Sequence, residues 1–240
     1  MNTRHSLFSG FAVFGHRGAA GLLPENTLPG FERALAIGCR GIELDVHCVK
    51  DASGQTQLCV IHDSKVDRTT NSRGLVADFT VSELQAMDAG NGWGVPLLTD
   101  VLVALDRSPE TLLNIELKGP ATATPTAALL KARPNLRVLV SSFNHDELTR
   151  FRALAPTCPV APLFHRPSSK LLDTARRLGA VSINVSRSLV SKDLIANCKQ
   201  AGFAVLVYTV NEPEQAQQLK DWGAAGVFTD RPDLMISLQD

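Results

Sequence analysis

Apolar runs and amphipathic helical patterns alternate along almost the whole of this 240-residue chain. The runs that predict strands cover residues 11–14, 41–46, 112–117, 136–140, 159–163, 181–185, 204–208 and 226–228. The patterns that predict helices cover residues 28–37, 99–106, 124–132, 146–155, 169–178, 192–201 and 214–222, with a short helix after Pro232. Because each helix carries the chain back to the start of a new strand, this alternation predicts a parallel sheet. Eight such units fit a closed (β/α)₈ barrel, the TIM barrel.

An open doubly wound sheet is the alternative architecture for the same pattern. Such sheets commonly carry a glycine-rich turn of the form GxGxxG after the first strand, and nothing of that form follows residues 11–14. The content of 44% hydrophobic and 20% charged residues is that of a globular protein. We therefore predict one α/β barrel domain spanning residues 1–240.

Residues 63–96 interrupt the alternation after the second strand. Residues 57–61 pair naturally with that strand as an extension or a hairpin, and the polar turns and glycines that follow belong to neither a strand nor a long helix. Phe79, Leu84 and Trp93 argue against disorder, and long ordered loops in compact domains are usually functional. We predict an insertion at residues 63–96 that caps the barrel mouth.

Charge and cysteine content restrict the partners and the compartment. The 24 Lys and Arg balance the 24 Asp and Glu, so no global field attracts nucleic acid or an anionic membrane. The five cysteines follow no metal or CxxC spacing, which favours a reducing compartment. The apolar run at residues 7–14 is too short to cross a bilayer and is closed by His16-Arg17, where a signal peptide needs small residues. We predict a cytoplasmic protein with neither a nucleic acid nor a membrane partner.

The second predicted strand, Gly-Ile-Glu-Leu-Asp-Val at residues 41–46, carries two acidic side chains in an apolar run. Side chains two positions apart point to the same face of a strand, so Glu43 and Asp45 converge. Two buried carboxylates persist only with a cation, a proton or a basic partner between them. A strand with one solvated face is the simpler interpretation of this pair alone.

Further polar residues follow the other strands, where the active groups of barrels lie. Glu116 and Lys118 end the third strand, and Arg17 follows the first. Three carboxylates with no cysteine or paired-histidine ligand spacing nearby suit Mg²⁺, Ca²⁺ or Mn²⁺ better than zinc. An internal ion-pair network is the alternative. The gathering of acidic and basic groups at one face is better explained by a site that holds a phosphate ester between a metal ion and basic side chains than by such a network.

Two histidines, His16 and His62, also follow strands at the predicted face. A single histidine there is more often a hydrogen-bonded loop residue, but two favour proton transfer near neutral pH. His47 follows Asp45 by two positions on the same face of the strand, and we predict that it lies behind the metal ligands without binding the metal itself. Aromatic side chains at Phe143, Trp93, Tyr208 and Phe228 are candidate walls of a substrate pocket, although aromatic residues are more often core.

A set of linked motifs runs through the chain in a fixed order. They are His16-Arg17-Gly18, Pro-Glu-Asn-Thr at 24–27, residues 41–46, His62-Asp63, Arg-Thr-Thr at 68–70, Ile-Glu-Leu-Lys at 115–118, Ser-Ser-Phe at 141–143 and Tyr-Thr-Val-Asn at 208–211. From about residue 13 to residue 232 the chain resembles the glycerophosphodiester phosphodiesterase family, in particular its short bacterial cytoplasmic members. A departure is Pro96-Leu97-Leu98, where many relatives have Pro-Thr-Leu, and it concerns local packing only.

The resemblance implies a TIM barrel with a small insertion after the second strand. It also implies a divalent metal ion on Glu43, Asp45 and Glu116, His16 and His62 as the acid/base pair, and Arg17 and Lys118 on the phosphate. The implied reaction is hydrolysis of small glycerophosphodiesters to sn-glycerol 3-phosphate and an alcohol. The expected assignment is His16 as base and His62 as acid, with water or the glycerol 2-hydroxyl as nucleophile.

Two further functions stay open at this point. One is a phospholipase-like phosphodiesterase that acts on intact lipid, and the other is a barrel that binds phosphate esters without catalysis. In the loop after the first strand, Asn26 and Thr27 are expected to cap the first helix and Glu25 to brace Arg17.

Overall fold

The computed structural model describes residues 7–240, and within them eight parallel strands close into a barrel with helices between them. The strands, including one antiparallel addition, are β1 (Ala12–Gly15), β2 (Gly41–Lys50), β3 (Thr56–Val60), β4 (Leu112–Leu117), β5 (Val138–Ser142), β6 (Val160–Phe164), β7 (Ser182–Ser186), β8 (Ala204–Tyr208) and β9 (Gly226–Thr229). Strand β1 pairs in parallel with both β9 and β2, which closes the barrel. The predicted TIM barrel is confirmed.

The helices lie in the connections between the strands, except for the last, which follows the final strand. They are α1 (Leu28–Ile37), α2 (Val81–Ala86), α3 (Leu98–Leu105), α4 (Ala123–Lys131), α5 (His145–Leu154), α6 (Leu171–Leu178), α7 (Lys192–Gln200), α8 (Pro213–Trp222) and α9 (Pro232–Met235). Helix α1 shows how local sequence sets such bounds. The Thr27 side chain accepts a hydrogen bond from the Gly30 amide at the start, and Gly38 ends the helix with a φ of 96°, a left-handed value that favours glycine. Among the helices within residues 7–240, none has both the length and the apolar character that a membrane crossing requires.

The prediction for the second strand was too short, because β2 continues past Val46 to Lys50. Up to Val46 it pairs in parallel with β4, and from Val46 onward it pairs antiparallel with β3. The strand therefore leaves the barrel wall and forms a hairpin, which is one of the two arrangements expected for residues 57–61.

Alternation along the strands divides the core into two layers. Outward side chains such as Leu44, Leu113 and Ile115 belong to the large core cluster beneath the helices. Inward apolar side chains, including Phe14 and Leu139, fill the amino-terminal part of the barrel. Toward the carboxyl ends of the strands the interior becomes polar, with buried residues Asn114, Ser141, Asn184, Glu43, Asp45 and Glu116. The barrel therefore places its polar interior at the mouth, where its long loops also begin.

Residues 63–96 form an ordered segment with a short apolar core of their own. Leu84 of α2 packs with Val66 and Val95 and with Cys59 and Ile61 from the end of the hairpin. Helix α2 begins with a capping box between Thr80 and Glu83. The segment is thus held on the extended β2–β3 hairpin beside the barrel.

Candidate active site

Three carboxylates meet at the mouth of the barrel. Glu43 and Asp45 extend from β2, and Glu116 extends from β4, whose register places it opposite Asp45. One carboxylate oxygen from each residue lies within 4.8 Å of the other two. All three residues are at least nine-tenths buried, with 4%, 1% and 8% exposure. The structure thus brings together the three residues that the sequence predicts as metal ligands.

Burial and mutual repulsion make this cluster costly when all its members are ionised. Burial, followed by the charges of Asp45 and Glu116, raises the pKa of Glu43 well above its ordinary value. Burial, followed by the charge of Asp45, raises the pKa of Glu116 to about 7. The Oδ1 atom of Asp45 is buried and has no hydrogen-bond partner within the described chain. An all-oxygen set with an unpartnered oxygen fits a hard divalent cation such as Mg²⁺ or Ca²⁺.

Two basic side chains border the carboxylates. Arg17 Nε lies 3.4 Å from Asp45 Oδ2, and Lys118 Nζ lies 3.1 Å from Glu116 Oε1. Arg17 also donates from Nη1 to Glu25 Oε1 at 2.8 Å, as expected, and its backbone amide donates to Glu43 Oε2 at 3.0 Å. Burial opposes a charged guanidinium, but the carboxylates of Asp45, Glu25 and Glu43 outweigh it and raise the pKa of Arg17.

The two histidines have matching surroundings. His16 Nδ1 lies 2.7 Å from Asp230 Oδ1, and His62 Nδ1 lies 2.6 Å from Asp63 Oδ1. Because an ionised carboxylate only accepts hydrogen bonds, each Nδ1 carries the proton and each Nε2 presents its lone pair.

The Nε2 atoms of the two rings lie near the carboxylates and their basic neighbours. His16 Nε2 is 3.9 Å from Glu43 Oε2, and His62 Nε2 accepts from Lys118 Nζ at 3.0 Å. Burial, followed by the positive charge of Arg17, lowers the pKa of His62 against the pull of Asp45 and Asp63. Both imidazoles are therefore placed to exchange a proton with a group bound at the cluster. His47 contacts the backbone carbonyl of His62 from Nε2 at 3.1 Å, outside the carboxylate set.

A narrow cavity opens beside the carboxylates. It is lined by His16, Glu43, Asn114, Glu116, Ser141, Leu163, Asn184, Tyr208 and Phe228. Phe143 packs edge-on against Tyr208, with ring centroids 5.8 Å apart, and its ring lies 5.5 Å from Lys118 Nζ. Trp93 lies on the inserted segment, is 47% exposed and is not among the lining residues. Larger hollows near Arg40 and Leu136 contain none of the predicted site residues.

Asn26 does not cap the first helix, contrary to the sequence-based prediction. Thr27 alone caps it, and Asn26 adopts a left-handed φ of 56°. Its Nδ2 donates to Asp45 Oδ2 at 2.9 Å, and its Oδ1 accepts from the Asp45 amide at 3.4 Å. The turn before the helix thus orients Asp45, because the left-handed residue directs its amide into the barrel.

Sequence reasoning assigned no role to the two carboxylates that hold the histidines. Asp230 directly follows β9, and its Oδ2 accepts from Asn211 Nδ2 at 2.8 Å. Asp63 directly follows His62. Each of the two aspartates belongs to a pair of polar residues at the end of a strand, and this position was the only sequence feature that pointed to a role in the site. Their contacts with the histidine Nδ1 atoms depend on side-chain geometry, which the sequence does not report.

Comparison with known proteins identifies the family of this chain. Residues 16–234 match the model of the glycerophosphoryl diester phosphodiesterase family. A glycerophosphodiester phosphodiesterase of Caldanaerobacter subterraneus is 34% identical, over 94% of this chain and 96% of the relative. One of Bacillus altitudinis is also 34% identical, over 95% of this chain and 98% of the relative.

Solved structures show the same similarity. A phosphodiesterase of Oleispira antarctica in complex with the product sn-glycerol-3-phosphate superposes with a TM-score of 0.89 at 27% identity, covering 98% of both chains. A glycerophosphodiester phosphodiesterase of Agrobacterium tumefaciens superposes with a TM-score of 0.80 at 27% identity, covering 95% of this chain and 99% of the other. With the family match extending over nearly the whole barrel, the chain belongs to the glycerophosphoryl diester phosphodiesterase family and is a phosphoric diester hydrolase.

Proposed function

We propose that this enzyme hydrolyses small glycerophosphodiesters to sn-glycerol 3-phosphate and an alcohol, with a divalent metal ion and two histidines. The observation that carries the proposal is the convergence of three buried carboxylates from two strands within 4.8 Å of one another. The product complex of the Oleispira antarctica relative supports the choice of substrate.

Charge balance explains how an acidic cluster can accept an anionic substrate. Glu43, Asp45 and Glu116 together carry one more charge than Arg17 and Lys118 can neutralise. A divalent ion on the three carboxylates would make the site net positive by one charge and would polarise the phosphoryl oxygens. Arg17 and Lys118 then bind the phosphate from opposite sides of the cluster and stabilise the charge that grows on its oxygens.

Proton transfer is assigned to His16 and His62. One imidazole removes the proton from the attacking water, and the other, doubly protonated and carrying a proton on Nε2, gives that proton to the leaving alkoxide. If the glycerol 2-hydroxyl attacks first, the alcohol leaves in the same way and a cyclic phosphate forms, which water then opens to sn-glycerol 3-phosphate in a second step. Asp230 and Asp63 hold the Nδ1 protons, so each ring reacts through Nε2. The order expected from the sequence, with His16 as base, stays a prediction.

The substrate pocket and the surroundings follow from the same geometry. Tyr208 and Phe228 line the cavity beside the cluster and are proposed walls for the glycerol or the leaving group, with Phe143 behind Tyr208. Residues 63–96 are proposed to cap the mouth of a single barrel domain. All five cysteines are free thiols, which supports the proposed cytoplasmic location.

A panel of substrates and metals tests the proposal. Glycerophosphocholine, glycerophosphoethanolamine and vesicles of intact phosphatidylcholine are each incubated with the enzyme in Mg²⁺, Ca²⁺ or Mn²⁺, with a chelator control. We expect release of sn-glycerol 3-phosphate from the soluble diesters only and loss of activity with the chelator. Turnover of the vesicles alone, or tight diester binding without turnover in all three metals, would contradict the proposal.

A further inference from the structure

Arg68 of the inserted segment contacts two carboxylates at once. Its Nε donates to Asp63 Oδ2 at 2.6 Å. Its Nη1 and Nη2 donate to Oε2 and Oε1 of Glu25, each at 2.8 Å. Glu25 lies on the loop between β1 and α1, 43 residues earlier in the chain. One guanidinium therefore joins the inserted segment to the loop that carries Arg17.

Each of these carboxylates contacts a group of the proposed catalytic machinery. The second oxygen of Asp63 accepts the Nδ1 proton of His62 at 2.6 Å, and Glu25 Oε1 accepts from Arg17 Nη1 at 2.8 Å. A continuous set of hydrogen bonds thus runs from the imidazole through Arg68 to the phosphate-binding guanidinium.

We propose that Arg68 is a positioning residue that holds the imidazole of His62 and the guanidinium of Arg17 in their working orientations at the same time, through Asp63 and Glu25. The inference deepens the proposed function and rests on it. Arg68 touches neither the carboxylate cluster nor the cavity beside it, so it acts only through its two partners.

The contacts of the two carboxylates show why Arg68 matters to their orientation. Within residues 7–240, Arg68 is the only hydrogen-bond donor to Asp63 Oδ2 and to Glu25 Oε2. Its hydrogen bond to Asp63 is the largest cause of the lowered pKa of that carboxyl. For Glu25, burial raises the pKa, and the hydrogen bond from Arg68 is the largest of the effects that outweigh it. Without Arg68, Asp63 Oδ2 and Glu25 Oε2 lose their hydrogen-bond donor, and the two carboxylates are no longer held in a fixed orientation toward His62 and Arg17.

The planar guanidinium is specifically suited to this position. It donates along three separate N–H directions to two carboxylates, which a single ammonium group cannot reproduce in a fixed geometry. The side chain is 47% exposed, so these ion pairs contribute little to global stability. The effect of losing them should therefore be seen in kinetics rather than in folding.

The test compares three variants in the metal-containing enzyme with glycerophosphocholine as substrate. They are Arg68→Gln, Arg68→Lys and the matched control Arg73→Gln, a residue of the same segment that is exposed and in no ion pair within the described chain. For Arg68→Gln we expect kcat to fall and KM to rise, with kcat/KM reduced roughly 10- to 100-fold by misplacement of the reacting groups. Arg68→Lys should recover part of the loss, and Arg73→Gln should behave as wild type. The melting temperature of Arg68→Gln should change by at most about 2–4 °C.

Single-arm variants separate the two connections. Asp63→Asn removes support from His62 and should lower kcat with little effect on KM. Glu25→Gln removes support from Arg17 and should mainly raise KM. Arg68→Gln should combine both effects, which an arginine that merely anchors the inserted segment would not do.

Wild-type kinetics in Arg68→Gln, or a lower melting temperature with normal kcat and KM, would overturn the inference and leave the proposed function intact. If Arg68→Gln fails to fold, Arg68→Lys decides the matter, because wild-type kinetics in that variant would equally overturn it. A wild-type enzyme without turnover in any of the three metals would instead overturn the proposed function, and the inference with it.

Discussion

Glu116→Gln should stabilise the metal-free enzyme at neutral and alkaline pH while weakening its metal binding. Glu116 shares the mouth with Glu43 and Asp45, and burial raises its pKa from the ordinary 4.5 to about 7. The fold therefore prefers the neutral carboxyl. Below pH 4.5 the residue is neutral in both the folded and the unfolded chain. As the pH rises from 4.5 through 7, the unfolded chain ionises first and stability is lost; above about 7 the folded chain ionises too and the loss is complete.

The size of this effect follows from the pKa difference. Each pKa unit corresponds to about 1.36 kcal/mol, so a rise from 4.5 to about 7 corresponds to a free energy of unfolding that falls by about 3 kcal/mol. Glutamine resembles the neutral carboxyl in shape and cannot ionise. Wild type and Glu116→Gln should thus be equally stable near pH 4.5, and the variant should be more stable by about 3 kcal/mol at pH 8.

Urea unfolding in a chelator at several pH values measures this difference directly. The exposed Glu32 of α1 supplies the matched control, since Glu32→Gln should give the wild-type pH dependence. Adding Ca²⁺ at pH 8 should reverse the order once its concentration reaches about 1,000 times the wild-type Kd. At that concentration the ion stabilises the wild type by about 4.1 kcal/mol, more than the difference of about 3 kcal/mol, and the variant binds the ion less well because it lacks one ligand. A variant that is less stable than wild type at pH 8 in the chelator would refute the idea of a strained acidic cluster.

Three further predictions concern the catalytic groups. His16→Ala and His62→Ala should each lower turnover by roughly two or more orders of magnitude while the circular dichroism spectrum stays that of the wild type; ordinary turnover in both would rule out acid/base roles. Asp230→Asn should lower kcat by roughly 10-fold or more. The two carboxylate oxygens of Asp230 accept from His16 Nδ1 and from Asn211 Nδ2, whereas an amide offers one oxygen and a donating NH₂ group, so the His16 ring is no longer fixed with its proton on Nδ1. An unchanged kcat would remove that role. Asp63→Asn should lower the pKa of His62 further, because the hydrogen bond to Asp63 raises that pKa in the wild type. The limb of the pH–rate profile that His62 controls should therefore move to lower pH, and a shift to higher pH would contradict the assignment.

The alternation of strand and helix patterns was sufficient to predict the barrel, because each unit buries one face of a helix on one strand. The period of two likewise predicts that Glu43 and Asp45 share one face of the strand. That Asp45 lies opposite Glu116 depends on the register between β2 and β4, which no local pattern reports. The extension of β2 to Lys50 was missed for a similar reason, since it depends on pairing with β3.

The supporting side chains of the site were the hardest to predict. Asn26 has the residue type of a helix cap and instead braces Asp45, because its left-handed backbone directs the amide inward. Asp230 and His16 are 214 residues apart in the chain and meet only when the barrel closes. Arg68 and Glu25 are joined in the same way by the docking of the inserted segment. Such contacts are properties of the closed barrel and not of any one stretch of sequence.

The central claim, that three carboxylates share one cation at the mouth of the barrel, is tested most directly by anomalous diffraction from crystals soaked in Mn²⁺. The account predicts one strong peak within bonding distance of Glu43, Asp45 and Glu116, and no peak there in crystals of Glu116→Gln soaked at the same concentration near the wild-type Kd. An ordered wild-type site with no peak between the three carboxylates at saturating Mn²⁺ would contradict it.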